Sequence, residues 1–257
     1  MVTNDKLIYG LVGKKLSHSF SRQFFSHKFE EEQIDAEYLN FELPTIEHLK
    51  DIIASHPTLK GLNVTIPYKK TVIPFCQELS PQAQKIGAVN TIVRRDDGTL
   101  IGHNTDYFGF MSMVQKSGLS FAGKKVLVLG SGGASVTVCA VLNAMHAHVV
   151  QISRNGENHY GNLYLHTDAA VIVNATPVGM YPNNEAAPLD LSLFPKLEGV
   201  LDLIYNPAHT RLLQQAKQLG ALTLGKNVRV ADIVCRNTED ALMRIANKYK
   251  QLISPKH

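Results

Sequence analysis

Cysteine is scarce. The 257-residue chain has three, Cys76, Cys139 and Cys235. The number is odd and no pair has C-x-x-C spacing, which argues against a disulfide framework or a zinc site and for a reducing compartment. Long apolar runs are missing as well. None approaches the roughly 20 residues that a membrane-spanning helix needs. The opening MVTNDKLIYG has no basic region leading into an apolar core, so no signal peptide is expected. None of the 11 histidines stands in H-E-x-x-H or a comparable ligand spacing, and no metal is expected. Charge of one sign is barely in excess: 26 Lys and Arg against 22 Asp and Glu leave +4. The basic residues are scattered, without a stripe interleaved with aromatics. A nucleic-acid partner is therefore not expected, and a small anionic ligand suits the mild positive balance.

What is present is ordinary globular chemistry, 44% apolar and 19% charged, long enough for one large or two ordinary domains. There are no repeats or low-complexity tracts. The first part alternates strand and helix: KLIYGLVG (6–13) as an apolar strand, SHSFSRQFFSHKFEEEQI (17–34) as a helix with Phe20, Phe24, Phe25 and Phe29 in its apolar stripe and Ser17 or Ser19 as N-cap, AEYLNFEL (36–43) as a strand, and a helix opening at Thr45 (45–56). GLNVTIPYKK (61–70) reads as a strand that stops at Pro67, which has no N–H for a ladder. Asn63 and Thr65 then face one way and Leu62, Val64 and Ile66 the other. An edge strand with a wet face and gatekeeper lysines would read the same way. GAVNTIVRRDDGTLIGHNTD (87–106) reads as a hairpin turning at Asp97-Gly98. This order predicts a mostly parallel sheet with helices on its faces.

A second unit begins near residue 107 with a linking helix. GKKVLVLG (123–130) is a buried strand, SGGASVTVCAVLNAMHA a glycine-rich turn and helix. Strands follow at 148–153, 169–177 and 199–205, a helix ends at Gly220, and the tail 239–253 is helical. The turn carries Gly130, Gly132 and Gly133 with Ser135 at the third small position, close to the dinucleotide pattern G-x-G-x-x-G/A and in the strand–turn–helix context that the pattern requires. Helix N–H groups there would hold a pyrophosphate. Where an NAD site carries an acid at the end of the second strand, this chain has Ser153 and Arg154. An arginine suits a 2′-phosphate, so NADP is expected over NAD.

Lys69 is the candidate proton-transfer group, with Asp106 as the carboxylate that would set its proton affinity. Asn104 and Thr105 adjoin Asp106, and Asn90, Thr91, Ser17 and Ser19 add neutral hydroxyls and amides. Such a set suits a polyhydroxylated ligand, expected in a cleft between domains.

LSHS, NVTIPYK, GAVNT, GHNTD, GSGGAS, NATPVGMYP and DLIYNP, in this order over roughly residues 6–225, resemble the shikimate dehydrogenase family. The resemblance implies two α/β domains. One is an N-terminal substrate domain with a mostly parallel sheet (1–106), on which a C-terminal helix at about 237–257 packs back. The other is a Rossmann-like NADP domain (107–236). It implies reversible, NADP-dependent reduction of 3-dehydroshikimate to shikimate in aromatic amino acid biosynthesis, in the cytoplasm, as a monomer or homodimer, with no membrane and no nucleic acid involved. Carried over, Lys69 and Asp106 match the catalytic pair, and Ser17, Ser19, Thr65, Asn90, Asp106, Tyr205 and Asn237 the substrate contacts. Gly130, Ser131, Gly132, Gly133, Ala134, Ser153, Arg154, Leu203 and Gly225 match cofactor contacts.

The chain departs from the family twice. The position four after Arg154, usually basic, is Asn158, and the following stretch is too short for a full helix. Near the C-terminus the family's substrate-contacting glutamine falls on Asn237 or, counted forward from Gly225, on Asp232. A quinate-preferring paralogue therefore stays open, as does a catalytically weak cofactor-binding relative, against which the retention of Lys69 and Asp106 speaks.

Overall fold

The computed structural model describes residues 6–16 and 20–225. The N-cap assignment to Ser17 or Ser19, the tail helix and Asn237 lie outside these residues. The chain forms two compact units that divide between Thr105 and Asp106.

The first unit contains β1 (Leu7–Gly13), α1 (Phe20–Glu31), β2 (Ala36–Glu42), α2 (Leu49–Ser55), β3 (Leu59–Val64), β4 (Glu78–Leu79), α3 (Pro81–Ile86), β5 (Thr91–Arg94) and β6 (Leu100–His103). Its six strands lie in the order β2-β1-β3-β5-β6-β4. Pairing is parallel at β1–β2, β1–β3 and β4–β6 and antiparallel at β3–β5 and β5–β6. The β5–β6 hairpin turns through Asp97-Gly98, closed by Gly98 N–H to Arg95 O at 3.0 Å and Arg95 N–H to Thr99 O at 2.9 Å.

Two cores flank this sheet. Phe25 and Phe29 of α1 pack on Tyr9, Leu11, Tyr38 and Val93. The opposite face carries Val12, Leu62, Val64 and Ile92 against Leu49, Val72 and Ala83. Side-chain alternation along β3 follows the expected parity, but the strand is not an edge and its polar face is not wet. β3 lies inside the sheet, and Asn63 is buried on the α1 side. Nor does the strand run to Pro67. It ends at Val64, and a turn closed by Tyr68 N–H to Thr65 O at 2.9 Å carries the chain out of the sheet. Ile66 is therefore 63% exposed, not part of the apolar face.

Two further local expectations change. The segment from Thr45 opens as a 3-10 turn (Ile46–His48) before α2, and Thr45 makes no capping bond through its side chain. Helix α3 was not anticipated. Its signature is nonetheless in the sequence: Ser80 caps it by accepting from Ala83 N–H at 3.2 Å, Pro81 opens it and Gly87 ends it with φ of 69°.

The second unit contains α4 (Asp106–Ser117), β7 (Lys125–Leu129), α5 (Gly133–Ala144), β8 (His148–Ile152), β9 (Val171–Asn174), β10 (Gly199–Asp202), α6 (Arg211–Gln218) and β11 (Leu222–Gly225). Its strands are all parallel, in the order β11-β10-β9-β7-β8. Continuous apolar strands suit a sheet covered on both faces. Here α4 and α5 cover one face, while α6 and two 3-10 segments cover the other. The crossover from β8 to β9 holds a 3-10 segment (Tyr160–His166) where a doubly wound unit ordinarily has an α-helix. Among the described residues no helix is long and apolar enough to cross a membrane.

Gly10 on β1 tests the packing between neighbouring strands. A Cβ there would lie 2.6 Å from the Leu39 carbonyl oxygen and 2.5 Å from the Phe41 ring. Backbone cannot yield as a flexible side chain can. Gly10→Ala is expected to cost about 1–3 kcal/mol, measured as a lower urea midpoint at unchanged m-value. An unchanged midpoint would mean that β1 and β2 separate easily.

Candidate active site

In the first unit, β5 starts at the edge where its neighbours end. β1, β3 and β6 arrive with their C-terminal ends. β5, being antiparallel, starts there, so Asn63 pairs with Thr91 and Thr91 with His103. The backbone knits these segments together: Val64 N–H donates to Asn90 O at 2.7 Å, Asn90 N–H to His103 O at 3.0 Å, and Val89 N–H to Lys69 O at 2.7 Å. Thr65, Lys69 and Asn90 thus meet at one edge although distant in sequence. Thr65 N–H donates to Val12 O at 2.9 Å, which ties the same edge to β1. Lys69 is half-buried and Lys70 exposed.

Neutral polar groups make up the buried part of this edge. Asn90 is 5% exposed and its Oδ1 accepts from Thr105 N–H at 2.8 Å. Its Nδ2 donates to Thr105 Oγ1 at 2.9 Å. Asn104 donates to Ala88 O at 3.0 Å. Burial pushes the half-buried His103 imidazole below its ordinary value, which favours the neutral ring. Sequence reasoning gave Asn63 a place on a polar ledge but no partner, and gave Tyr38 no role. The structure joins them, with Tyr38 Oη donating to Asn63 Oδ1 at 2.6 Å. The signal in the sequence was the polar Asn63 inside an otherwise apolar strand.

Lys69 belongs to the first unit and Asp106, the opening residue of α4, to the second. Asp106 sits in the first turn of its helix, where the dipole favours a negative charge. Among the described residues no cluster of His, Cys, Asp or Glu could hold a metal ion.

The second unit's candidate site is the β7–α5 turn. Gly130 has φ of 109°, a left-handed value that favours glycine. Its N–H donates to Ile152 O at 2.8 Å. A Cβ there would meet Ala175 O at 3.1 Å, so the β9 loop lies close against the turn. Gly132 caps α5 with no side-chain bond, and among the described residues no atom lies within 4 Å of where its Cβ would stand. Glycine at 132 therefore leaves open the approach to the first-turn N–H groups of Gly133 and Ala134, where an anionic phosphate fits. Ser135 replaces the third small residue. It is buried, donates to Gly130 O at 2.6 Å and accepts from Gln151 Nε2 at 2.7 Å, so that its hydroxyl braces the turn.

Ser153 and Arg154 follow β8 directly, in a tight loop closed by Ser153 N–H to Asn158 O at 3.1 Å, and Arg154 is exposed. Leu203 and Tyr205 follow β10, and Gly225 pairs with Asp202 at the end of β11. All of these stand at the C-terminal edge of the parallel sheet, where ligands of such sheets bind.

One buried acid organises that edge. Asp202 is fully buried and accepts from Asn174 Nδ2 at 3.1 Å, Ile204 N–H at 3.0 Å and Thr210 Oγ1 at 2.6 Å. It thereby ties the β9 and β10 loops to the α6 N-cap. Burial raises its pKa, against the opposing effect of the three donors.

The segment 11–92 matches the family model described as the shikimate dehydrogenase substrate binding domain. A shikimate dehydrogenase (NADP(+)) of Methanosphaera stadtmanae is 36% identical over 249 residues, 87% of each chain. Among solved structures, shikimate dehydrogenase 1 of Peptoclostridium difficile superposes with a TM-score of 0.81 at 32% identity, covering 95% of this chain and 98% of its own. Shikimate 5-dehydrogenase of Thermus thermophilus, solved in complex with NADP(H) and shikimate, gives 0.77 at 28% identity over 93% and 99%.

Because its folded-state pKa is raised, Asp202 contributes stability that is complete below the unfolded carboxylate pKa and is lost as pH rises through the folded value. Asp202→Asn removes that titration. The wild-type Tm minus the variant Tm is expected to fall as pH rises from roughly 4 to 7, read by thermal melts at matched salt. A difference that rises over that range would mean that the three donors outweigh burial.

Proposed function

The chain belongs to the shikimate dehydrogenase family, and we propose that it catalyses the reversible, NADP-dependent reduction of 3-dehydroshikimate to shikimate. The observation that carries this reading is the edge of the first unit. A lysine whose backbone carbonyl is fixed by Val89 N–H stands among buried amides and hydroxyls, with no competing buried charge at that edge among the described residues. Such a surface suits a ring carrying several hydroxyls. Residues 1–106 are read as the substrate domain and 107–236 as the cofactor domain.

Interconverting a ring ketone and an alcohol moves a proton on or off the ring oxygen. Lys69 handles that proton, and Asp106 orients Lys69 and accepts from a substrate hydroxyl. Thr65, Asn90, Ser17 and Ser19 hold the remaining substrate oxygens, with Tyr205 and Asn237 completing the contacts. Serine hydroxyls hold the substrate carboxylate without full ion pairing. NADP(H), when bound, supplies or receives the hydride. The first-turn N–H groups of α5, opened by Gly132 and flanked by Ser131, hold its pyrophosphate. Arg154, with Ser153, meets the 2′-phosphate, while Leu203 and Gly225 line the opposite side. The β8–β9 crossover offers a 3-10 segment and Asn158 in place of a second cation, so Arg154 carries NADP selectivity. Three cysteines with no C-x-x-C pair suit a cytoplasmic enzyme, read as a monomer or homodimer.

Initial rates of NADP reduction, with shikimate and with quinate, test this reading. Turnover on shikimate that falls at least about 100-fold in Lys69→Ala is expected. Turnover on quinate alone would move the substrate, and none with either would make the chain a non-catalytic relative.

Arg154→Ala is expected to raise the KM for NADP roughly tenfold while leaving that for NAD unchanged, as read from paired cofactor titrations. An equal effect on both would remove Arg154 from the 2′-phosphate.

A further inference from the structure

We propose that Tyr38, on β2, is a positioning residue: its hydroxyl sets the orientation of the Asn63 carboxamide and, through Thr91, supports that of Asn90. This rests on the reading of Asn90 as a substrate contact. Every group in the series is at least nine-tenths buried: Tyr38 is 1% exposed, Asn63 9%, Thr91 0%, Asn90 5% and Thr105 5%.

A carboxamide presents a donor at one end and acceptors at the other, so its partners decide which end a ligand meets. The Tyr38 hydroxyl donates to Asn63 Oδ1 at 2.6 Å. Asn63 Nδ2 is thereby turned toward Thr91, whose Oγ1 lies 3.5 Å away. Thr91 in turn donates to Asn90 Oδ1 at 3.2 Å. Thr105 N–H, which can only donate, reaches the same oxygen at 2.8 Å. Donors thus converge on Asn90 Oδ1 from both directions, and Asn90 Nδ2 keeps a hydrogen beyond the one that it gives to Thr105 Oγ1. The edge therefore offers a substrate hydroxyl an amide donor at Asn90. The series starts three strands away because the Tyr38 ring is held flat on Phe25, with centroids 4.8 Å apart and planes at 9°. Linked donors of this kind polarise one another, so the end of the series responds to its beginning.

Tyr9 supplies an internal control. It pairs with Tyr38 across the β1–β2 ladder and is equally buried, yet its hydroxyl has no hydrogen-bond partner among the described residues. Tyr38→Phe and Tyr9→Phe each delete one buried hydroxyl and keep the ring. In Tyr38→Phe the KM for shikimate is expected to rise roughly three- to tenfold. Its kcat should stay within about twofold and the NADP dissociation constant, from cofactor fluorescence, should be unchanged. Tyr9→Phe should alter none of these. Independently of turnover, the side-chain amide NMR resonances of Asn90 should shift in Tyr38→Phe and not in Tyr9→Phe. An unchanged KM together with unmoved Asn90 resonances would overturn the proposal, as would equal effects of the two variants. Should the wild-type chain fail to turn over shikimate, the functional reading falls while the resonances still decide the relay.

Discussion

The contact on which the Lys69 edge of the first unit depends is the one between the Asn90 side-chain oxygen and the Thr105 amide, 2.8 Å long and buried. It joins the residue just before β5 to the second residue after β6, and the Asn90 backbone binds Val64 and His103 on either side. A buried amide left without its acceptor would cost about 1–3 kcal/mol, so these segments hold one another in place. Lys69 depends on the same junction, since its carbonyl is held by Val89, the residue next to Asn90.

This junction exists because β5 runs antiparallel inside an otherwise parallel arrangement. Had β5 run parallel to β3, Asn90 would start at the opposite edge of the sheet, away from Thr65 and Lys69. One reversed strand therefore converts GAVNT, far along the chain from NVTIPYK, into its neighbour. Burial of Asn63 and Thr91 under α1 then requires each to be paired, because an unpaired polar group in that core is costly.

The second unit solves a related problem with a buried carboxylate. Among the described residues, Asp202 has no cation among its hydrogen-bond partners and is held by Asn174, Ile204 and Thr210. It links the β9 and β10 loops at the edge that also carries the glycine turn, and the Ala175 carbonyl stands against Gly130. The turn itself is braced by Ser135, which turns the departure from the third glycine into a second hydrogen-bonded anchor.

Much of this was legible in the sequence, because local chemistry is written locally. Apolar runs flanked by glycine marked β1 and β7, Asp97-Gly98 marked the hairpin, and Gly130, Gly132 and Gly133 marked the turn from which α5 starts. Family membership was legible through motif order. The failures share one cause. The alternation of GLNVTIPYKK showed which side chains share a face but not what covers that face, and the polar side is buried beneath Phe25 and Phe29. Ile66 follows the apolar pattern but not the apolar face, because the turn to Tyr68 breaks the strand first. Tyr38 reads as an ordinary strand aromatic, and its hydroxyl finds Asn63 only through sheet order. The sequence by itself determined the elements, the glycine turn and the family. Tertiary structure alone decided the sheet order, the pairing of the hairpin strand β5 with β3 and therefore the partner of each buried polar group, because hydrogen bonds between strands depend on proximity that periodicity does not encode.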